Sequence, residues 1–181
     1  AGAIAAAASA GTVDLTTGVA DWQVAYAPIP GDYPSTQPTF GPMSAAEVVD
    51  PGNIPGPWAT TPDADWISTG TNPVDDPGFY KYTLTIDDAG PGPWNFSGMY
   101  TSDNQVISLT IAGVNLFSFD ANLQSNPQQF QNFDQVFMTT GNSIAIEAIV
   151  YNEPLNQPTN PTGFILAGEA VLVPSPMAAG M

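Results

Sequence analysis

The sequence predicts an all-β protein with a single antiparallel β-sandwich or jelly roll. Three observations predict this class. Seventeen glycines and nineteen prolines are spread over the 181 residues, which disfavours long helices. Thr, Val, Phe and Tyr, which favour strands, are common, whereas Lys and Glu are scarce. About nine short strand-like segments follow one another between turns, as in sandwiches and jelly rolls.

The amino-terminal third contains two predicted strands and a long proline-rich loop. The strands are the short runs Thr12–Leu15 and Trp22–Ala27. Nine prolines then fall within residues 28–65. Because proline cannot donate to a strand ladder, this loop is predicted to be extended and largely free of strands. A loop of this length usually has a function or wraps around the core, and Trp58 and Trp66 are expected to fasten it there.

One helical pattern lies inside the proline-rich loop, at Ser44–Val49. Ser44 stands at a position suited to an N-cap, and Glu47 follows three residues later as in a capping box. The sequence therefore predicts one or two helical turns at this place.

From Trp66 onwards, the sequence alternates strands with turns. Asp87-Asp88, Asp103-Asn104 and Gly141-Asn142 mark turns, and the side chains of Asp103-Asn104 are expected to fix theirs by hydrogen bonds. Period-two alternation predicts one buried face for each strand. The predicted strands are Phe79–Ile86, Trp94–Tyr100, Gln105–Ile111, Asn115–Phe119, Phe133–Met138, Ser143–Tyr151 and Phe164–Val173.

The predicted organisation is one domain with two short terminal segments. Residues 1–11 form an Ala-rich amino-terminal segment, residues 12–173 form the β-sandwich with its proline-rich loop 28–65, and residues 174–181 form a carboxy-terminal tail. The chain is long enough to bury a single core without disulfides.

The composition excludes several classes of function. The chain contains no His and no Cys, which removes Ser-His-Asp and Cys-His catalysis and the usual zinc, haem and iron–sulfur sites. One Lys+Arg stands against 17 Asp+Glu, so the formal net charge is −16. Lys81, the single cation, cannot form a phosphate-binding face, and an anionic membrane would repel the chain. Nucleic acid and membrane are therefore not expected as partners.

Acidic residues supply the remaining candidates for chemistry. Paired carboxylates with nearby carbonyls can bind Ca²⁺, so Asp75, Asp76, Asp87 and Asp88 are candidate metal contacts, with ordinary turn chemistry as the alternative. No other cofactor is expected. Glu147 is the acid centred in an apolar strand, and alternation places it on the solvent or intersubunit face. A glycosidase needs two carboxylates held about 5–10 Å apart. Because Glu147 is placed on an outer face, it does not suit that role, and we expect no enzymatic activity.

Short motifs between Trp94 and Ala170 carry a family resemblance. They are Ser102-Asp103-Asn104-Gln105, Phe130 and Phe133 at F-x-x-F spacing, Gly141-Asn142-Ser143-Ile144, Tyr151-Asn152 and Asn160-Pro161-Thr162-Gly163. In this order they resemble the jelly-roll domain common in exported bacterial proteins of the PEP-CTERM class. Upstream, Val13-Asp14-Leu15 and Trp22-Gln23-Val24 fit the start of the same domain. The resemblance implies export, often a role in surface or matrix material, and no catalytic residues.

The last residues extend this resemblance. Val173-Pro174-Ser175-Pro176 resembles the V-P-E-P start of the sorting signal, with Ser175 in place of Glu. The apolar helix and Arg cluster that continue the signal do not follow, so we expect that the signal was processed or that the sequence stops before it. The alternative is that the two prolines merely end the last strand.

The Ala-rich segment AGAIAAAASA has two interpretations. Ala8-Ser9-Ala10 fits the cleavage site of a signal peptide, so residues 1–10 can be the remnant of one. The segment then either packs on its own domain or inserts into a neighbouring subunit. On the second view, the predicted subunit-interface residues are Ala1, Ala3, Ile4, Ala6, Ala8, Val13, Leu15 and Trp58.

Two functional hypotheses follow. The first is a non-enzymatic extracellular structural protein, a self-assembling subunit of a filament or matrix whose partner is another copy of itself. The alternative is a secreted carbohydrate-binding β-sandwich module, with extracellular polysaccharide as the partner and loop aromatics such as Trp58 and Tyr33 stacking on sugars. An exposed aromatic platform would favour the second hypothesis.

Overall fold

A computed structural model describes residues 11–54, 56, 58–116, 127–154 and 160–174. The described residues contain twelve strands, one 3₁₀ turn at Pro51–Asn53 and no α-helix. All the strand pairs are antiparallel, which confirms the predicted all-β class. The strands are β1 (Thr12–Asp14), β2 (Gln23–Pro28), β3 (Ser44–Ala45), β4 (Glu47–Val48), β5 (Ile67–Ser68), β6 (Gly78–Ile86), β7 (Gly92–Asp103), β8 (Gln105–Ile111), β9 (Val114–Asn115), β10 (Gln131–Thr139), β11 (Ile144–Asn152) and β12 (Gly163–Leu172).

The strands form two six-stranded sheets that pack face to face as a sandwich. Sheet A has the order β10-β7-β12-β5-β4, and β1 pairs with the part of β12 that β5 leaves free. Sheet B has the order β3-β2-β6-β11-β8-β9. Most neighbours in each sheet, such as β10 with β7 and β11 with β6, are not consecutive in the sequence, so the order could not be inferred from the strand pattern.

The core lies between the sheets and uses one face of each strand. Tyr82 of β6 in sheet B stacks on Phe164 of β12 in sheet A, with ring centroids 5.4 Å apart. Trp22 meets the same Phe164 ring edge-on at 5.6 Å, and its indole N–H donates to the Leu15 carbonyl at 3.0 Å. Because all four residues are buried, the start of the domain is packed into the centre of the sandwich.

Each of the nine predicted strands overlaps an observed strand, with ends that differ by a few residues. The largest difference is at the strand predicted for Asn115–Phe119. The observed strand there is Val114–Asn115, and residues 117–126 lie outside the described part of the chain. The turn before it is tight because Ala112 and Gly113 both have positive φ, of 51° and 78°. Three strands, β3 to β5, were not predicted because each contains only two residues.

The helix predicted at Ser44–Val49 is wrong. Ser44–Ala45 pairs with β2 in sheet B, whereas Glu47–Val48 pairs with β5 in sheet A. Between them, the Ala46 N–H donates to the Trp22 carbonyl at 2.9 Å. The segment bridges the edges of both sheets, and this tertiary pairing prevails over the local capping signal.

The proline-rich loop wraps around its own domain on both sides of that bridge. Its first half covers the outer face of sheet B, where Tyr33 packs on Phe79 with ring centroids 4.9 Å apart. Its second half covers the outer face of sheet A, where Trp58 and Trp66 pack in a buried cluster with Ile165 of β12. The predicted wrapping role, and the fastening by the two tryptophans, are therefore confirmed.

Candidate functional site

Buried polar side chains gather at one end of the sandwich, where β7 and β11 end and β12 begins. All but one of them belong to the motifs singled out in the sequence, and Ser68 of β5 is the addition. Burying polar groups is unfavourable unless they are hydrogen-bonded, so their partners decide what this cluster does. The residues are Ser68, Ser102, Asp103, Asn152, Asn160 and Thr162.

Hydrogen bonds join these motifs into one network. The Asn104 Oδ1 atom accepts hydrogen bonds from the Glu153 N–H at 3.0 Å and from Asn160 Nδ2 at 3.3 Å. Asn160 Nδ2 also donates to Asn152 Oδ1 at 2.6 Å. The Thr162 hydroxyl donates to the Asp103 carbonyl at 2.7 Å. The network ties the β7–β8 turn to the chain between β11 and β12, as expected for side chains that fix a turn.

Asp103 connects this network to the proline-rich loop. One carboxylate oxygen accepts the indole N–H of Trp58 at 2.6 Å, and the other accepts Asn104 Nδ2 at 2.6 Å. Burial raises the pKa of Asp103 to about 6, against the opposing effect of these two hydrogen bonds. Both oxygens are engaged by groups of the protein itself, so the arrangement is that of a structural tie.

The four candidate calcium ligands do not form one cluster. Asp75-Asp76 precedes β6 and Asp87-Asp88 follows it, and a nine-residue strand is about 30 Å long. The Asp75 carboxylate accepts the hydroxyls of Ser68 at 2.8 Å and Thr69 at 2.5 Å. No group of three or more metal-binding side chains occurs among the residues that the structure describes. Binding of a cation by Asp75-Asp76 alone, or by Asp87-Asp88 alone, stays a prediction.

Glu147 lies on the outer face of sheet B, which alternation predicted to be the solvent or intersubunit face. Its Oε2 atom is 3.6 Å from Nζ of Lys81 on the neighbouring strand β6. The same ammonium group lies 4.9 Å from the centre of the Phe40 ring. Lys81, the single lysine of the chain, thus contacts both Glu147 and Phe40 of the proline-rich loop.

The aromatic side chains offer little free surface. All four tryptophans are buried, and Trp58 packs on Trp66 with ring centroids 4.1 Å apart. Tyr33 is half-buried and leans on Phe79 and Tyr151. Neither Trp58 nor any other tryptophan is therefore available to stack on a sugar.

The predicted interface residues fall into two groups. Ala1, Ala3, Ile4, Ala6 and Ala8 lie outside the described residues. Val13 is paired with Ala170 of β12, and the Leu15 N–H donates to the Gly168 carbonyl at 3.0 Å. Leu15 and Trp58 are both buried. Within a single chain, Val13, Leu15 and Trp58 are thus occupied by contacts with their own domain.

An open groove of about 730 Å³ crosses the outer face of sheet A. Gly98 and Gly168 lie opposite each other in the β7–β12 pair and contribute no side chain to its lining. Met99 and Ala167 line the groove together with residues that carry hydroxyl, amide and carboxylate groups, among them Thr12, Thr16, Asp14, Asn132 and Glu169.

The edges of the two sheets differ in length. Strands β3, β4 and β9, each at a sheet edge, contain two residues, and β1, which pairs with β12 alone, contains three. Strand β10, also at an edge, contains nine residues and pairs with β7 in unbroken register from Gln131↔Tyr100 to Thr139↔Gly92. Nothing in the described ranges pairs with its outer edge. Val136 and Met138 on this strand are 59 % and 71 % exposed.

The comparisons with known proteins concern architecture alone. No family model matches the chain. No curated protein matches it either. A family 35 carbohydrate binding module from Clostridium thermocellum has a TM-score of 0.42 and 12 % identity, covering 89 % of this chain and 97 % of the module. A family 35 module from an environmental isolate has a TM-score of 0.36 and 12 % identity, covering 65 % of this chain and 82 % of the module. No ligand is inferred from this level of similarity.

Proposed function

We propose that this protein is a non-enzymatic extracellular structural subunit that assembles with copies of itself into a filament or matrix. The observation that carries the proposal is the open edge of β10. A free edge presents a row of unpaired N–H and C=O groups, which is a template for pairing with another chain.

Strand β10 lacks the features that natural proteins use to blunt an edge. Edge strands are normally protected by being very short, or by Lys, Pro or a bulge. From Gln131 to Thr139 there is no Lys, Arg or Pro, the register has no bulge, and Asp134 is the single charged residue. Val136 and Met138 add exposed apolar surface to it. The strand has the length and chemistry of an interaction edge.

The high negative charge determines how assembly must work. Each subunit carries −16 with one cation, so packing copies together multiplies like-charge repulsion. Burial and backbone pairing must then drive assembly, and salt must help. The Debye length falls from about 30 Å at 0.01 M salt to about 8 Å at 0.15 M. We expect assembly to strengthen across this range.

The test is light scattering of the full chain over a salt series, with electron microscopy of the product. The double variant Val136→Lys/Met138→Lys places two charges on β10 and should raise the protein concentration needed for assembly by at least about tenfold. Val19→Lys is the control for an added lysine elsewhere, because Val19 is 67 % exposed and lies near Ala45 and Val48 on the opposite side of the sandwich. Equal assembly of both variants would contradict the role of β10.

The same series distinguishes screening from cation binding. Calcium with and without a chelator, at constant ionic strength, tests the contacts predicted at Asp75, Asp76, Asp87 and Asp88. Calcium-dependent assembly that is lost in Asp87→Asn/Asp88→Asn would support binding at the β6–β7 turn. Dependence on ionic strength alone would leave these residues as turn formers.

Export is part of the proposal and is supported by the resemblance to exported proteins of the PEP-CTERM class. No helix of the described chain is long and apolar enough to cross a membrane. Fractionation of producing cells should place the protein in the medium or at the cell surface. Recovery in the cytoplasm alone would contradict an extracellular role.

Carbohydrate binding is a second candidate, favoured by the open groove on sheet A. Asp14, Asn132 and Glu169 line it with groups that hydrogen-bond sugar hydroxyls. Pull-down with insoluble polysaccharides tests this function. Binding that is lost in Asn132→Ala/Glu169→Ala, by a chain that stays monomeric at all salt concentrations, would favour this candidate over self-assembly.

A further inference from the structure

The described chain begins at Gly11, at the end of sheet A where β10 finishes. The Gly11 carbonyl accepts the Leu172 N–H at 3.0 Å, which extends the β1–β12 ladder by one step. A Cβ atom on Gly11 would lie 3.9 Å from the Trp94 indole. Trp94 is in turn the register partner of Phe137, close to the last residue of β10. Residues 1–10 therefore start from the same end of the sandwich as the end of the open edge.

The reach of residues 1–10 favours the edge of a second copy over their own. β1 is separated from a position beyond β10 by β12, β7 and β10 itself, or about 19 Å at a spacing of about 4.8 Å per strand. Ten extended residues span at most about 33–36 Å. Crossing their own sheet would use about five or six residues and leave about four for pairing. Between two copies no crossing is needed, so the segment can pair along most of β10.

The chemistry of the segment and of the edge agree. Residues 1–10 carry no charged side chain and no proline, so they can pair without the like-charge repulsion that acts elsewhere between subunits. Their small side chains permit close approach to an edge that carries Val136 and Met138, and Ile4 adds one larger apolar group. Affinity would then come mainly from backbone pairing along β10.

We infer that the partner of the open β10 edge is residues 1–10 of a second copy of this chain, bound there as an added strand. This inference rests on the proposed function and names the contact by which one subunit holds the next. The inference restricts the predicted interface to residues 1–10, because Val13 and Leu15 are occupied in their own domain.

The absence of cysteine from the chain allows a direct test by disulfide trapping of the full-length protein. Chains carrying Ala3→Cys, Ala6→Cys or Ala8→Cys are each mixed with a chain carrying Gln135→Cys, assembled in salt and oxidised. Gln135 is exposed at the middle of β10, so the substitution should not disturb folding. The control acceptor is Thr85→Cys, which is also exposed but lies on β6 in sheet B.

We expect at least one donor position to link to Gln135→Cys several-fold more than to Thr85→Cys. The excess should vanish when Val136→Lys/Met138→Lys is added to the acceptor. Assembly without excess linkage at any donor position would overturn the inference and leave the proposed function intact. Linkage within one chain carrying both cysteines, persisting at dilution, would also overturn it, since the segment would then bind its own edge. Failure of the parent chain to assemble at any salt concentration would overturn the proposed function and this inference with it.

Discussion

The two sides of this sandwich are built differently. On one side, β3 and β4 close the edges of sheets B and A, and the proline-rich loop continues from them over the outer faces of both sheets. On the other side, β9 is two residues long, whereas β10 presents nine residues with an open outer edge in the described chain. Within the described residues, one side is therefore covered by the loop and by short edge strands, whereas the other carries the long strand β10 at its edge.

The difference lies in what stabilises each side. The closed side is held by side chains, with the Trp58–Trp66 pair at its centre and the Asp103 carboxylate as its hydrogen-bonded tie. The open side is held by the backbone ladder between β10 and β7 and by Phe133 and Phe137 facing inward. Substitutions should therefore affect folding on the closed side and assembly on the open side.

The largest effect is expected for Trp66→Ala on the closed side. Trp66 is buried under the proline-rich loop, packs on Trp58 and donates its indole N–H to the Ala59 carbonyl at 2.8 Å. Removing it should lower the free energy of unfolding by about 3–5 kcal/mol, measured by urea denaturation. Val136→Ala on the open edge should change it by less than about 0.5 kcal/mol. Equal losses in the two variants would remove the distinction between the sides.

The second effect is a pH dependence that comes from the tie at Asp103. Its pKa is raised from 3.8 to about 6 by burial, so the folded state disfavours the ionised form. The contribution of Asp103 to stability should be greatest below about pH 4 and should fall by about 3 kcal/mol as the pH rises from about 4 through 6. Asp75, whose pKa burial also raises, acts in the same direction.

The variant Asp103→Asn separates the pH dependence caused by Asp103 from that caused by charge repulsion in a chain of net charge −16, which also grows with pH. Urea denaturation at several values between pH 4 and 7 should give a clearly smaller slope for this variant. An unchanged slope would show that Asp103 does not titrate in this range.

A third effect concerns the support of β10. Gly98 on β7 is opposite Phe133, and a Cβ there would meet the Ala167 carbonyl oxygen and come within 2.7 Å of the Gly168 Cα. These are backbone atoms that cannot move aside, so Gly98→Ala should cost about 1–3 kcal/mol of unfolding free energy. Gly31→Ala is the control, because a Cβ there would meet nothing within 4 Å. Thermal denaturation should give a lower melting temperature for Gly98→Ala than for Gly31→Ala. Equal melting temperatures would contradict the close approach of β7 and β12.

The smallest effect is expected for the single ion pair of the described chain. Lys81 and Glu147 are both partly exposed and 3.6 Å apart, so water and salt screen their interaction. Lys81→Met should reduce stability by about 1 kcal/mol or less in low salt, and Glu147→Gln should do the same. A double-mutant cycle in urea checks this, and a coupling that does not weaken in high salt would contradict it.

Much of the strand pattern could be read from the sequence, because alternation is a local property. In Phe79–Ile86, every second side chain faces the core, and this follows from the pleat of any strand. The motif residues Ser102, Asn152 and Thr162 could be singled out one by one, but their meeting in one buried network could not. Trp58 was predicted both to fasten the loop and to lie at a subunit interface, and the structure shows the fastening.

The sequence by itself determined the all-β class, the exclusion of His and Cys chemistry and the burden of a −16 charge, because composition and period-two alternation do not depend on which strands are neighbours. Only the tertiary structure decided that Ser44–Val49 becomes two short strands at two sheet edges, and that Gln131–Thr139 is an edge strand among the described residues. Strand order depends on pairing between residues far apart in the chain, such as β10 with β7 and β1 with β12. No local pattern encodes those partners, because an edge strand and a central strand with the same alternation differ only in what lies beside them.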